Sequence, residues 1–137
     1  MYDKILIPID MSHVERASEM VAVAKTQANE GATFVLLNVI DEVPAWAMDY
    51  QSEGIAKEHV KSAKEELSKI ADSESLSNAD VQVFSGHSYN TILHVAKNEK
   101  AELIIIGSHH PGVGDYFLGS TAAKVVRHAQ CSVYVIR

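Results

Sequence analysis

The sequence lacks the features that mark nucleic-acid-binding and membrane proteins. It has 12 Lys and Arg against 18 Asp and Glu among 137 residues, for a formal net charge of −6. The basic residues are scattered, which argues against a nucleic-acid-binding surface because neutralising phosphates requires clustered cations. No apolar stretch approaches the roughly 20 residues of a membrane span, so we expect no membrane insertion.

Cysteine is nearly absent, and metal-binding spacings are not found. Cys131 is the single cysteine, so it forms no internal disulfide, and we interpret it as a small packing residue. The seven histidines form no HExxH or comparable ligand spacing, and we expect no metal site. An apolar strand pattern begins at Tyr2, so we expect no signal peptide and a cytoplasmic location.

Apolar runs alternate with helical patterns along the chain and predict five strands and four helices. Three of the strands are nearly continuous apolar runs, which is typical of a parallel sheet covered on both faces. Ser12 and Glu15 predict a capping box for the first helix, Gly31 is its expected stop, and Ser88 is a candidate N-cap for the third. The predicted strands cover Lys4–Ile9, Thr33–Ile40, Asp80–Phe84, Glu102–Ile106 and Ser132–Ile136, and the helices cover 14–29, 53–71, 89–98 and 120–128.

This alternation predicts an α/β fold with one domain over residues 1–137. Helices between parallel strands imply right-handed crossovers, which gives a five-stranded, doubly wound parallel sheet with helices on both faces. Ligands of such folds bind beyond the carboxyl ends of the strands, where the strand order reverses. If the first and fourth strands are central neighbours, Pro8-Ile9-Asp10 and the segment Gly107–Ser120 meet there.

The segment between Gly107 and Gly119 is a candidate ligand-binding loop. Its eleven residues exceed the usual βα loop of about 2–6. Its glycines allow close backbone approach, and the helix start that follows suits a phosphorylated ligand. It is not a P-loop, because Ser120 stands where that motif has Lys, nor a dinucleotide fingerprint, because Phe117 replaces the third Gly.

Short motifs spread over the chain are shared with one known family. They are Ile5-Leu6-Ile7-Pro8-Ile9-Asp10, Leu36-Leu37-Asn38-Val39-Ile40, Gly86, Ile105-Ile106-Gly107-Ser108-His109, Gly119-Ser120 and the segment Cys131–Arg137. On these residues the chain resembles the universal stress protein family over essentially its full length. Its ATP-binding members carry a glycine loop in which His110 here replaces the middle Gly and the spacing is one residue shorter. The chain is therefore similar to the branch with a Gly-Ser-His-basic-Pro loop.

The resemblance implies an adenine nucleotide alpha hydrolase-like sandwich that binds ATP, ADP or AMP. A Mg²⁺ ion can bridge the phosphates of such a nucleotide. Asp10 would face the adenine or ribose, and Val39 would offer the adenine backbone hydrogen bonds and apolar contact. The other expected contacts are Pro8 and Ile9 beside Asp10, Ile106 and Gly107 near the ribose, Ser108 and His109 toward the phosphates, and Gly119, Ser120, Thr121 and Ala122 at the phosphate chain.

Several of these residues have a second interpretation that the sequence leaves open. Asp10 can cap the first helix, with or without a ligand role, and Ser120 can be only an N-cap. His109 or His110 can neutralise phosphate. The resemblance implies a stress-response regulator that binds nucleotide. No nucleophile elbow or kinase signature is found, so we expect it not to turn the nucleotide over. A slow ATP hydrolase and a nucleotide-independent interaction module are the alternatives.

The last predicted strand, Ser132–Ile136, indicates self-association. A bare apolar edge strand is an aggregation liability, and pairing with the same strand of a second copy covers it through a two-fold interface. The resemblance implies the same homodimer. A short edge strand shielded by a side chain or loop is the alternative.

Overall fold

The computed structural model describes residues 1–42, 46, 49–108 and 118–137, and these contain five strands and four α-helices. A 3-10 helix, Met11–Arg16, leads directly into the first α-helix. The strands are β1 (Tyr2–Pro8), β2 (Ala28–Ile40), β3 (Ala79–Ser85), β4 (Leu103–Gly107) and β5 (Ser132–Ile136), and the helices are α1 (Ala17–Gln27), α2 (Tyr50–Ser73), α3 (Ser88–Asn98) and α4 (Ser120–His128).

The strands form one parallel sheet in the order β3-β2-β1-β4-β5. The chain builds outward from β1 to β2 and β3, then returns to the other side of β1 for β4 and β5. The strand order therefore reverses between β1 and β4, as the sequence predicts. The prediction of a doubly wound, five-stranded α/β fold is confirmed.

Helices cover both faces of the sheet because successive strand residues point to opposite sides. On one face Ile5 of β1 belongs to a core cluster with Val21 of α1 and Leu67 of α2. On the other, Leu6 belongs to a cluster with residues of α3 and α4 such as Val125. All these side chains are fully buried. Each contributes about 1.5–3 kcal/mol relative to exposure, so the sheet is held from both sides.

The first helix differs from its prediction at both ends. The capping box is wrong: Arg16 is the N-cap of α1, and Asp10, not Ser12, is the N-cap of the 3-10 helix before it, where its Oδ1 accepts the Ser12 N–H at 2.9 Å. The helix ends at Gln27 because Ala28 is extended and pairs with β1. Gly31 does not stop the helix either; it lies within the β2 range at φ +78°, where the register between β1 and β2 shifts.

The starts of α3 and α4 also correct the predicted caps. His87, not Ser88, is the N-cap of α3, and Gly119, not Ser120, is the N-cap of α4. Ser88 and Ser120 are instead the first helical residues. Within the described residues no helix is long and apolar enough to cross a membrane.

Candidate functional site

A cleft of about 310 Å³ lies at the carboxyl ends of β1, β2 and β4. It occupies the point where the strand order reverses, which is where this class of sheet binds ligands. The N-terminal ends of α3 and α4 reach it through Ser88 and Thr121. Its other lining residues are Pro8, Ile9, Asp10, Ser12, His13, Arg16, Met20, Leu37, Asn38, Val39, Asp41, Ile92, Ile106 and Gly107.

Seven of the predicted contact residues line this cleft, and the others lie beside it or elsewhere. The lining members are Pro8, Ile9, Asp10, Val39, Ile106, Gly107 and Thr121. Ser108 follows β4 and is buried, and Ala122 packs in the core, while Gly119 and Ser120 begin α4 without lining the cleft. His109 and His110 lie outside the described residues.

Asp10 combines two of its predicted placements. Its carboxylate accepts the Ser12 N–H, and its backbone carbonyl accepts the His13 N–H at 3.0 Å. The residue is nevertheless exposed and lines the cleft directly after β1. The residue caps the 3-10 helix and lines the cleft at the same time, so capping and ligand contact are compatible.

Asn38 is a cleft residue that the sequence prediction did not select. Its side chain is buried, with 6% of its surface exposed, and Nδ2 donates to the Ile9 carbonyl at 2.8 Å. The Ile9 N–H donates to the Leu37 carbonyl at 2.7 Å. These bonds join the ends of β1 and β2 below the cleft. A lone amide inside the apolar run Leu36–Ile40 is the signal that could have identified it.

Ser108 joins three parts of the fold at the end of β4. Its N–H donates to the Ile136 carbonyl at 2.7 Å, and its own carbonyl accepts from Arg16 Nη1 at 3.0 Å. Its Oγ accepts the Gly119 N–H at 2.9 Å. Ser108 thereby connects β4 to β5, to the 3-10 helix and to the start of α4.

The bond to Ser108 changes which amides of α4 can meet an anion. Gly119 was expected to present its N–H to the phosphates, but this group donates to Ser108. The first N–H groups of a helix have no intrahelical acceptor, which leaves Ser120, Thr121 and Ala122 as the donors at this end. The helix dipole places partial positive charge at the same end.

Arg16 is another cleft residue that the sequence prediction missed. It donates through Nη1 to Ser108 and through Nη2 to the Ile136 carbonyl at 3.2 Å. A Cβ on Gly107 would lie 3.2 Å from Nη1, so the glycine gives the guanidinium room. The sequence signal that could have identified Arg16 is its position four residues before the buried Met20. Residues four apart lie on the same side of a helical segment.

The arrangement offers hydrogen-bonding and electrostatic groups at one sheet edge. Asp10, Asp41 and Arg16 line the cleft, as do Ser88 and Thr121 at the N-terminal ends of α3 and α4. In the part of the chain that the structure describes, no group of three or more His, Cys, Asp and Glu side chains is placed to hold a metal ion. The cleft therefore offers contacts for a polar ligand through side chains and backbone amides.

The fold and its cleft define a class of protein: a doubly wound α/β protein with a cleft at the switch point of a parallel sheet. Within that class, the chain belongs to the universal stress protein family, whose family model matches residues 1–137. The family resemblance is thereby confirmed. The branch with a Gly-Ser-His-basic-Pro loop stays a prediction, because residues 109–117 lie outside the described part.

Individual relatives agree with this assignment over the full length. The chain is 35% identical over 144 residues to the universal stress protein in the QAH/OAS sulfhydrylase 3' region of Thermus aquaticus, with 100% of each covered. It is 28% identical to UspA from Lactobacillus plantarum, with TM-score 0.72 over 99% of this chain and 98% of that one. The Archaeoglobus fulgidus universal stress protein in complex with dAMP is 19% identical, with TM-score 0.64 over 99% and 98%, and shares the fold.

Proposed function

We propose that this protein binds an adenine nucleotide, ATP, ADP or AMP, in the cleft and acts as a stress-response regulator. The observation that carries the proposal is the cleft itself. It lies at the switch point, is lined by strand ends and is entered by the N-terminus of α4. The dAMP complex of the Archaeoglobus fulgidus relative supports the same ligand class.

The adenine and ribose are assigned to the side of the cleft over β1 and β2. Asp10 and the backbone around Val39 can accept and donate hydrogen bonds to the adenine edge, while Pro8, Ile9 and Ile106 supply apolar contact. The ribose is placed beside Gly107 at the end of β4, which lines the cleft. This part of the cleft is where a flat, partly apolar ring fits best.

The phosphates are assigned to the start of α4. Ser120, Thr121 and Ala122 supply N–H groups there, and anions bind readily at such an end. Ser108 and Gly119 contribute by closing the base of the loop, and His109 is proposed to lie on the path toward the phosphates. A Mg²⁺ ion bound with the nucleotide would rely mainly on phosphate oxygens and waters, as this ion usually does.

The proposed action is binding without turnover, with a homodimer as the working form. The unit is one domain over residues 1–137, located in the cytoplasm, where adenine nucleotides are made and used. β5 pairs with β4 on one side and is an edge of the sheet. Tyr134 on β5 and Val126 on α4 are exposed apolar side chains, and pairing β5 with its counterpart in a second copy would cover the edge.

Titration calorimetry with ATP tests the binding, and Thr121→Glu supplies the variant. Thr121 lies in the first turn of α4 and lines the cleft. A carboxylate there is favourable to the helix dipole but repels phosphate. We expect wild type to bind one ATP and Thr121→Glu to lose more than about tenfold in affinity, or at least about 1.4 kcal/mol.

Ala123→Glu is the matched control, because it adds the same charge one residue later at an exposed position that does not line the cleft. It should bind ATP nearly as wild type does. Wild type that ignores ATP, ADP and AMP at millimolar concentration would leave the nucleotide-independent interaction module as the better account. Phosphate release in proportion to the protein would favour a slow hydrolase.

A further inference from the structure

Arg16 places a weakly compensated positive charge at the cleft. Its side chain is only 17% exposed, yet it lines the cleft. Its Nη2 lies 3.9 Å from Oε2 of Glu19, at the limit of an ion pair, and Glu19 is 59% exposed. Exposed pairs of this kind contribute little. The guanidinium therefore keeps most of its attraction for another anion, and that attraction is stronger at a partly buried position than in open water.

The guanidinium is already held in position. Its bonds to the carbonyls of Ser108 and Ile136 leave further N–H groups on the same planar fork. Both partners are neutral carbonyls, so they orient the charge without cancelling it. Because less side-chain freedom remains to be lost, an anion gains more from a fork that is fixed before binding than from a free arginine.

The topology separates charges of opposite sign along the cleft. Asp10 follows β1 and Asp41 follows β2, whereas Arg16 contacts the ends of β4 and β5. The sheet order runs β2-β1-β4-β5 with adjacent strands about 4.8 Å apart. The β1–β2 side is thus acidic and the β4–β5 side basic, and the start of α4 follows β4. A nucleotide, with a neutral base and anionic phosphates, matches this polarity in one direction.

We propose that Arg16 makes the cleft select a phosphorylated nucleotide over the corresponding nucleoside. The inference rests on the proposed function, and it assigns to Arg16 the discrimination between nucleotide and nucleoside. Ser120 occupies the position where a P-loop carries its lysine, so α4 brings no point charge of its own at that place. Arg16 supplies the charge from the opposite face of the sheet, and Gly107 gives it room to do so.

The test compares ATP, AMP and adenosine on three arginine variants by titration calorimetry. Arg16→Met removes the charge and keeps most of the aliphatic length, Arg16→Lys keeps the charge, and Arg127→Met removes an exposed arginine near the end of α4. We expect Arg16→Met to lower the affinity for ATP and AMP by roughly ten- to hundredfold, which is the range for the loss of a hydrogen bond to a charged group. Adenosine affinity should stay within about twofold, Arg16→Lys should recover part of the loss, and Arg127→Met should resemble wild type.

Glu19→Gln gives a second variant that leaves the guanidinium and its carbonyl bonds in place. Removing the compensating carboxylate should strengthen ATP binding by roughly two- to threefold and leave adenosine unchanged. Where Arg16→Met fails to fold, Arg16→Gln decides the matter by the same comparison of ATP with adenosine, because it removes the charge and can still donate to a carbonyl.

Three results would overturn the assignment. Equal losses of ATP affinity and adenosine affinity in Arg16→Met would mean that Arg16 only holds the ends of β4 and β5 together and does not select the ligand. Unchanged ATP affinity in Arg16→Met, or in Arg16→Gln where that variant replaces it, would remove its electrostatic role. Binding of adenosine but of no phosphorylated ligand by wild type would defeat the selectivity, whereas the absence of any binding would defeat the proposed function as well.

Discussion

Replacing Ser108 by Ala tests the hydrogen bond that closes the base of the loop. Ser108 is 8% exposed, and its Oγ accepts the Gly119 N–H at 2.9 Å. The substitution removes that acceptor and leaves the other two bonds of Ser108, which use backbone atoms, in place. The perturbation is therefore confined to one donor at the N-cap of α4.

The expected cost follows from the surroundings of the donor. A fully buried N–H left without an acceptor costs about 1–3 kcal/mol. Gly119 is only half-buried, so water can replace part of the bond and the lower end, about 1 kcal/mol, applies. For a chain of 137 residues this loss corresponds to a Tm lower by about 3–5 °C.

Urea unfolding and amide hydrogen exchange measure the two consequences. Ser108→Ala should unfold at lower urea concentration with an unchanged m-value, and the Gly119 amide should exchange faster than in wild type. Ser73→Ala is the control, because it removes a hydroxyl that donates to the Ile70 carbonyl at 3.1 Å at an exposed helix end. It should change the unfolding free energy by less than about 0.5 kcal/mol. Unchanged exchange at Gly119 in Ser108→Ala would refute the closing role of the hydroxyl.

Three further predictions concern a turn, a thiol and the sheet edge. Gly86 has φ +153°, and a Cβ there would lie 2.7 Å from Oγ1 of Thr91, so Gly86→Ala should lower the unfolding free energy by at least about 1 kcal/mol. Gly54→Ala, in open space within α2, should raise it by about 0.5–1 kcal/mol; denaturant unfolding of the pair compares them. Burial raises the pKa of the Cys131 thiol. At about pH 8.5 the native protein should therefore react with iodoacetamide more slowly than the urea-unfolded chain, whose thiol ionises normally. Equal reaction rates would contradict this prediction. Tyr134→Lys should shift sedimenting dimer toward monomer without loss of helix content, and an unaltered dimer would exclude β5 from the interface.

The fold could be predicted largely because its signal is regular. Continuous apolar runs such as Leu103–Ile106 alternate with helical patterns, and that alternation allows few topologies. The switch point followed from the topology, so Pro8–Asp10 and Gly107 could be placed at the same edge without coordinates. These are properties of whole segments, in which one misplaced residue changes little.

Single-residue details at the site were harder because they depend on competing partners. Asp10 precedes Ser12 by two residues, and its carboxylate accepts the Ser12 N–H, so Asp10 caps the 3-10 helix and the predicted capping box does not form. Arg16 meets carbonyls that lie 92 and 120 residues away in sequence. No local pattern contains that contact, since it exists only once β4 and β5 stand side by side.

Two-dimensional amide NMR spectra with increasing ATP test the central claim most directly, because they report both binding and its location. The account predicts saturable shifts of the amides that line or adjoin the cleft, above all Asp10, Val39, Gly107 and Thr121. Amides near Cys131, at the opposite ends of β4 and β5, should not move. Shifts confined to that opposite end, or no shifts at millimolar ATP, would contradict the account.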